Sequence, residues 1–173
     1  GNVDYNYMNR YFATFLLMAE ANSRFGENAD GLGIFGVKWA IFPSIQLGWV
    51  LTNESWFPKG GAIDYLRLNA GFDVSGNDNI SNYAARTSFS AVKFINNAMG
   101  LQLTNIGNDK IQWESTKKMN IGLQGYLFNN RLGIGADFFL HKTDNLLMLK
   151  AFSNPIGGIN NYWSNGGSLK NMG

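Results

Sequence analysis

The stretch Trp113–Leu149, WESTKKMNIGLQGYLFNNRLGIGADFFLHKTDNLLML, decides the fold. In its first arm Met119, Ile121, Leu123 and Leu127 point one way, and Lys118, Asn120, Gln124 and Tyr126 point the other. In its second arm Leu132, Ile134, Ala136, Phe138 and Leu140 oppose Gly133, Gly135, Asp137 and His141. Successive side chains of a strand alternate between its faces, so strict period-2 patterning predicts strands whose two faces meet different media. The link Phe128-Asn129-Asn130-Arg131 centres on two asparagines, which tolerate positive φ and suit a tight hairpin. Each arm is longer than the roughly five or six residues of an ordinary globular strand. That length fits the wall of a large barrel better than a small sandwich.

Composition narrows the classes. The chain has 173 residues, 21 Gly, 13 Phe, 7 Tyr and 5 Trp, with no Cys, one His and a net charge of +2. Its size suits one ordinary domain. The lack of Cys removes disulfide frameworks and thiolate metal sites, while saying little about compartment. Lys and Arg are scattered and their excess is small, so no nucleic-acid partner is expected. No window approaches the roughly eighteen continuous apolar residues of a membrane-spanning helix. The opening GNVDYNYMNR lacks the basic start and apolar core of a signal peptide. Abundant aromatics and glycine with sparse Glu and Lys point to β structure with many turns. A near-neutral mean hydropathy of −0.15 is compatible with a membrane barrel, where only alternate residues need be apolar.

Working outward, Arg10–Glu20 (RYFATFLLMAE) is strongly apolar on both faces and reads as a strand, with a buried helix as the competing reading. Residues 22–38 contain SRFGENADGLGIFG and read as a loop. Ile41–Leu51 is a cleaner strand, with Pro43 early in the run, where a missing ladder N–H is tolerated. Asn53–Asp64 holds Pro58, Gly60 and Gly61 and reads as a compact turn. Tyr65–Ser75 alternates almost perfectly, Leu66, Leu68, Ala70, Phe72 and Val74 against Arg67, Asn69 and Asp73. A polar connection then runs to about Lys110, with short structure expected at Phe89–Phe94. Beyond the central hairpin, Lys150–Asn165 reads as a loop and Gly167–Gly173 as a strand that has just begun.

Connection lengths alternate long and short, as in outer-membrane barrels with short periplasmic turns and long outer loops. Trp49, Trp56, Phe57, Tyr65, Tyr126 and Phe128 gather near the short turns, and Trp39, Phe42 and Trp113 near the long ones. Two aromatic belts are expected where amphipathic rings meet headgroups, although the same rings would also serve a soluble β core. Five full strands and the start of a sixth are too few to close a barrel, and an open edge in lipid leaves backbone groups unsatisfied. The expected fold is therefore all-β, a section of a large antiparallel transmembrane β-barrel that this chain alone does not close.

FPSIQLGW (Phe42–Trp49), YLRLNAGFDVSGN (Tyr65–Asn77), IQWESTKKMNIGL (Ile111–Leu123) and LFNNRLGIGADFFLHKTDNLL (Leu127–Leu147) follow in order, with SRFG (Ser23–Gly26) before them and GSLKNMG at the end. Together they resemble the C-terminal half of the barrel in SusC/RagA-type TonB-dependent outer-membrane transporters of the Bacteroidetes. The resemblance covers nearly the whole chain. It departs at LMAEAN (Leu17–Asn22), where the family usually has a basic-acidic-glycine sequence, and at GLGIFGVKWA (Gly31–Ala40). It implies an about 22-stranded barrel in the bacterial outer membrane, closed by a plug and opened by TonB. A SusD-like surface lipoprotein would cap it, and the cargo would be an oligosaccharide or peptide. Residues 1–173 would be part of the barrel domain, without plug domain or TonB box, so TonB would act through parts outside them.

The candidate site residues are few. His141, the only histidine, has no ligand-spaced partners and reads as structural. Asp73 and Asp137 share the polar face, where lumen charges hydrate the interior or bond a plug. Gly31-Leu32-Gly33 and Gly157-Gly158 lack the strand–loop–helix setting of phosphate cradles and read as loop flexibility. Tyr162 and Trp163, with Asn160, Asn161 and Asn165, form a group suited to stacking on and hydrogen-bonding a sugar, contacting a capping lipoprotein, or ordering the loop. No nucleophile–base pair, metal set or cofactor motif appears, so no catalytic residue and no cofactor is expected. Two other readings remain: a structural or secretion-associated barrel with its lumen repurposed, and a soluble all-β carbohydrate-binding module. The last predicts that the face of Leu66, Phe72, Leu132 and Phe138 is buried under a second sheet.

Overall fold

A computed structural model describes the chain apart from residues 27, 35, 36, 94, 96 and 97. Twelve strands follow in order among the described residues: β1 Asn2–Tyr7, β2 Tyr11–Ala21, β3 Leu32–Ile34, β4 Val37–Val50, β5 Ile63–Asn77, β6 Ser88–Lys93, β7 Met99–Asn105, β8 Glu114–Leu127, β9 Leu132–Asp144, β10 Leu147–Ile156, β11 Ile159–Asn165 and β12 Ser168–Met172. One antiparallel sheet runs β1-β2-β4-β5-β8-β9-β12, with β3 attached to β4, and β6-β7 and β10-β11 are separate hairpins. The path ends at β1 and β12, so the wall is open.

The quoted hairpin forms as its pattern predicts. β8 and β9 pair from Leu127↔Leu132 back to Ser115↔Asp144. Their link has positive φ at Phe128 (56°), Asn129 (57°) and Asn130 (60°), so the turn takes in a phenylalanine besides the two asparagines. β5, at 15 residues, is the longest strand. With a rise of about 3.3 Å per residue it reaches about 50 Å. Tilted by about 40°, that is roughly 38 Å of height against an apolar band of about 25 Å, so its ends project beyond such a band.

Because neighbours alternate in direction, the short connections gather at one end of the wall. These are 8–10, 51–62 and 128–131, the first with Met8 and Asn9 both at φ 52°. The connections from β2 to β4, from β5 to β8 and from β9 to β12 leave from the other end. The alternation expected from the sequence is thus a property of the sheet.

Several segments differ from expectation. The stretch expected over Arg10–Glu20 is strand from Tyr11 onward and not helix, because β2 pairs with β4 along its length from Tyr11↔Trp49 to Ala21↔Trp39. β1 adds a wall strand to the five or six expected; its Asn2, Asp4 and Asn6 disguise the alternation of Val3, Tyr5 and Tyr7. β4 begins at Val37 and picks up β3, so the loop read over 22–38 ends in a short ladder. β6 fits the structure expected at Phe89–Phe94 as far as Lys93, Phe94 lying outside the described residues, and β7 pairs with it. Lys150–Asn165 is no irregular loop but most of the β10–β11 hairpin, with a register shift between Ala151 and Ile156 beside Pro155. Gly157 (φ 56°) and Gly158 (φ 85°) supply its tight turn, so they serve a defined geometry and not loop flexibility. β12 is the strand begun at the end of the chain, paired with β9.

The buried core lies at the long-loop end. Phe25, Ala29, Phe42, Ile80, Ala84, Ile111 and Trp113 pack together, with Ile111 fully buried and the rings of Phe25 and Trp113 4.1 Å apart. Gly26 lets the SRFG segment lie against residues 109–111, since a Cβ there would come within 1.8 Å of the Asp109 carbonyl oxygen. Phe42 and Trp113, expected in an aromatic belt, are core residues under the loops.

Candidate functional site

The wall has two chemically distinct faces, and the register shows both directly. Residues opposite one another in an antiparallel ladder share a face. One row crosses all seven wall strands as Val3, Phe15, Ile45, Phe72, Met119, Leu140 and Met172. The next row towards the short turns is Tyr5, Ala13, Leu47, Ala70, Ile121 and Phe138. Among the described residues no second sheet covers this face: Phe138 is 56% exposed and Ile121 54%. A soluble module would bury these rings under a second sheet, so the soluble reading loses its structural requirement.

Towards the short turns the apolar face ends in an aromatic ladder. Tyr7 stacks on Tyr11 (6.5 Å between centroids), Tyr11 on Trp49 (6.2 Å), and Trp49 meets Trp56 edge-on (6.4 Å). Glu54, in the turn after β4, is the polar anchor of this ladder. Its Oε1 accepts from the Tyr11 hydroxyl at 2.6 Å and the Trp49 indole N–H at 2.9 Å, and Arg10 lies 3.5 Å from its Oε2. The Tyr11 and Trp49 hydrogen bonds, helped by the Arg10 charge, outweigh desolvation and hold its carboxyl below the usual glutamate range. Sequence reasoning missed Glu54, because its partners lie 43 and 5 residues away. A lone acid between two aromatic stretches was the only signal.

The opposite face is polar and glycine-rich. Its matching row is Asn2, Leu16, Ser44, Asp73, Lys118, His141 and Asn171, with Lys118 Nζ 3.6 Å from Asp73. Glycines here give room to longer neighbours. The Arg67 guanidinium lies over Gly48 and 5.1 Å from the Phe12 ring, the Gln46 and Asn120 side chains lie over Gly71, and Asp137 lies over Gly122. A shallow trough of about 480 Å³ runs along Asn69, Gln124, Tyr126 and Asp137. Asp73 and Asp137 belong to different rows with β8 between them, so they form no carboxylate pair. His141 faces Lys118 and packs on Phe139 at 5.0 Å, a structural setting. Among the described residues no group of three or more His, Cys, Asp or Glu is placed to hold a metal.

The four predicted contact residues all lie in β11, but in two settings. Trp163 is half-buried against the loop core; its indole donates to Ser81 Oγ at 3.3 Å and its carbonyl accepts from Asn108 Nδ2 at 3.0 Å. Tyr162 stacks on Phe152 across the hairpin at 4.6 Å. Asn160 and Asn161 are exposed towards the tip. Asn165 exchanges hydrogen bonds with the Gln112 backbone at 2.8 Å each way, fastening the hairpin base to the start of β8. Trp163 and Asn165 therefore position the hairpin, while Asn160 and Asn161 are presented by it.

The same two-faced wall and looped end recur in known proteins. The whole chain superposes on the RagAB peptide importer, with a TM-score of 0.82 in its open-open state and 0.83 in its closed-closed state, at 27% identity over 99% of this chain. This chain has the fold of a wall section from a SusC/RagA-type TonB-dependent receptor barrel. In sequence, the receptor-barrel section is 32% identical over 174 residues to TonB-dependent receptor P39 of Formosa agariphila. It is 28% identical over 182 residues to TonB-dependent receptor SusC of Bacteroides thetaiotaomicron. No family model matches it. It spans 16% of P39 and 17% of SusC, about a sixth of the length of the curated relatives it matches. Those two relatives are named receptors, and the superposed structure is named a peptide importer.

Proposed function

We propose that residues 1–173 form part of the lipid-embedded wall of a TonB-dependent importer in a bacterial outer membrane. Strands from the rest of the protein extend β1 and β12 until the barrel closes. The short turns, Asn129-Asn130 among them, face the periplasm, so β5 and β9 run outward and β8 runs inward. The polar face lines the lumen, where a plug supplied by the rest of the protein meets Asp73, Lys118 and Asp137. TonB acts through that plug, and a SusD-like surface lipoprotein covers the long-loop end. The cargo is an oligosaccharide or peptide, with Asn160, Asn161 and Tyr162 on the β10–β11 hairpin contacting cargo or lipoprotein and Trp163 holding the hairpin in place.

One observation carries this reading: the apolar row from Val3 to Met172, unbroken across seven strands, with Val3, Phe15, Ile45, Met119 and Met172 exposed. Water penalises such a surface at about 25 cal/mol per Å², and a bilayer removes the penalty. The test is fractionation of the full-length protein. It is expected in the outer membrane and to copurify with a SusD-like lipoprotein; recovery as a soluble monomer would overturn the proposal.

A further inference from the structure

The long-loop end carries a cleft that the wall does not need. It has a volume of about 260 Å³ and is lined by Ser23, Arg24, Asn82, Tyr83 and Arg86. Arg24 comes from the SRFG segment and Arg86 from the connection between β5 and β6, so two cations distant in sequence share one small space. Among the described residues no carboxylate lies within ion-pair distance of either guanidinium, the ion pairs being Arg10–Glu54, Lys118–Asp73 and Lys142–Asp144.

The cleft is built and not a chance gap between loops. Arg24 is aimed by its Nε donating to Asn82 Oδ1 at 2.9 Å, while its backbone N–H donates to Asn22 Oδ1 at 3.0 Å. Asn22 is itself tied to the Asp78 carboxylate. The opposite wall is held by Asn105, whose Nδ2 donates to the Tyr83 carbonyl at 3.1 Å and the Arg86 carbonyl at 2.7 Å. Beneath both, Phe25, Ile80 and Ala84 belong to the buried loop core. Tyr83 has φ 64°, a left-handed conformation unusual for a bulky residue, and its side chain is 69% exposed. Backbone strain of this kind persists where the surroundings enforce it, and it gathers at ligand clamps. Here it leaves the Tyr83 side chain exposed at a cleft that Arg24 and Arg86 also line.

We infer that this cleft binds an acidic saccharide, its carboxylate or sulfate held between Arg24 and Arg86 and its ring stacked on Tyr83. Guanidinium forks match the paired oxygens of carboxylate and sulfate, and their hydrogen bonds to an ionised acceptor are about twice as strong as neutral ones. Ser23 and Asn82 supply the hydroxyl and amide groups that ring hydroxyls require. The inference rests on the import reading, which places this end outside the cell, and adds to it a site for the charge on the cargo.

The experiment uses the full-length protein in detergent, with trigalacturonate and a sulfated galactotriose as probes and uncharged galactotriose as control, followed by calorimetry. Either acidic probe is expected to bind at least about tenfold more tightly than the neutral one, more weakly at high salt, and the probe that binds identifies the acid group. Arg86→Gln, exposed and outside the core, should lose roughly tenfold in affinity for that probe while barely changing the neutral sugar. Tyr83→Ala should weaken binding without altering its salt dependence. Equal binding of acidic and neutral probes, or wild-type affinity in Arg86→Gln, overturns the inference. Fractionation of the same preparations separates the two proposals: protein absent from the outer membrane sinks the import reading, and correctly located protein that ignores charge sinks only the acidic site.

Discussion

Replacing Ile121 with lysine tests the membrane assignment most directly. Ile121 sits midway along β8, pairs with Ala70 on one side and Phe138 on the other, and is 54% exposed on the apolar face. If water bathed that face, an exposed substitution of this kind would change stability by no more than about 0.5 kcal/mol. If lipid bathes it, a lysine near the bilayer midplane costs about 2–4 kcal/mol. At roughly 1.4 kcal/mol per tenfold, that is a loss of about thirty- to several-hundred-fold in the folding equilibrium. Asn120→Lys provides the control: one residue away, it faces the polar side, where the same charge costs under about 1 kcal/mol. The assay is reversible unfolding of the full-length barrel in lipid vesicles by guanidinium, read from tryptophan fluorescence and heat-modifiable gel mobility. Equal midpoints for the two variants would refute the assignment of the two faces.

Three further outcomes are expected. Glu54 has a depressed carboxyl pKa in the folded protein, so the stability it contributes is complete above the ordinary glutamate value of about 4.3 and is lost as pH falls through its lower folded value. Glu54→Gln should therefore flatten the acid limb of the unfolding midpoint against pH, and parallel curves for the two proteins would contradict the anchor role. Ile111→Ala empties the centre of the loop core at a cost of about 2–5 kcal/mol. It should expose residues 78–113 to protease while leaving the wall folded; an unchanged cleavage pattern would show that the core does not order those loops. Asn130→Val puts a β-branched residue at φ 60° and should cost about 1–2 kcal/mol, seen as slower or less complete barrel folding.

How much was legible depended on the range of the interaction. The hairpin from β8 to β9 was readable because both its alternation and its turn are local, and the same holds for Leu66 to Val74 in β5. β1 and β11 were hidden because Asn interrupts their apolar positions, and β7 because it lies inside a polar connection; their strand character comes from pairing, as in Asn161 with Ala151 and Tyr5 with Ala13. Trp163 was recognisable as a large polar-edged ring. That it props the hairpin on Ser81, 82 residues away, was not.

The sequence alone determined the two-faced strands and the alternation of short and long connections, because side-chain period and turn chemistry act over a few residues. Tertiary structure alone decided that Phe42 and Trp113 lie under the loops, that Glu54 anchors the aromatic ladder, and that Arg24 and Arg86 share a cleft. Those outcomes depend on cross-strand register and loop docking, which bring residues tens of positions apart within hydrogen-bond reach. No local pattern encodes that distance.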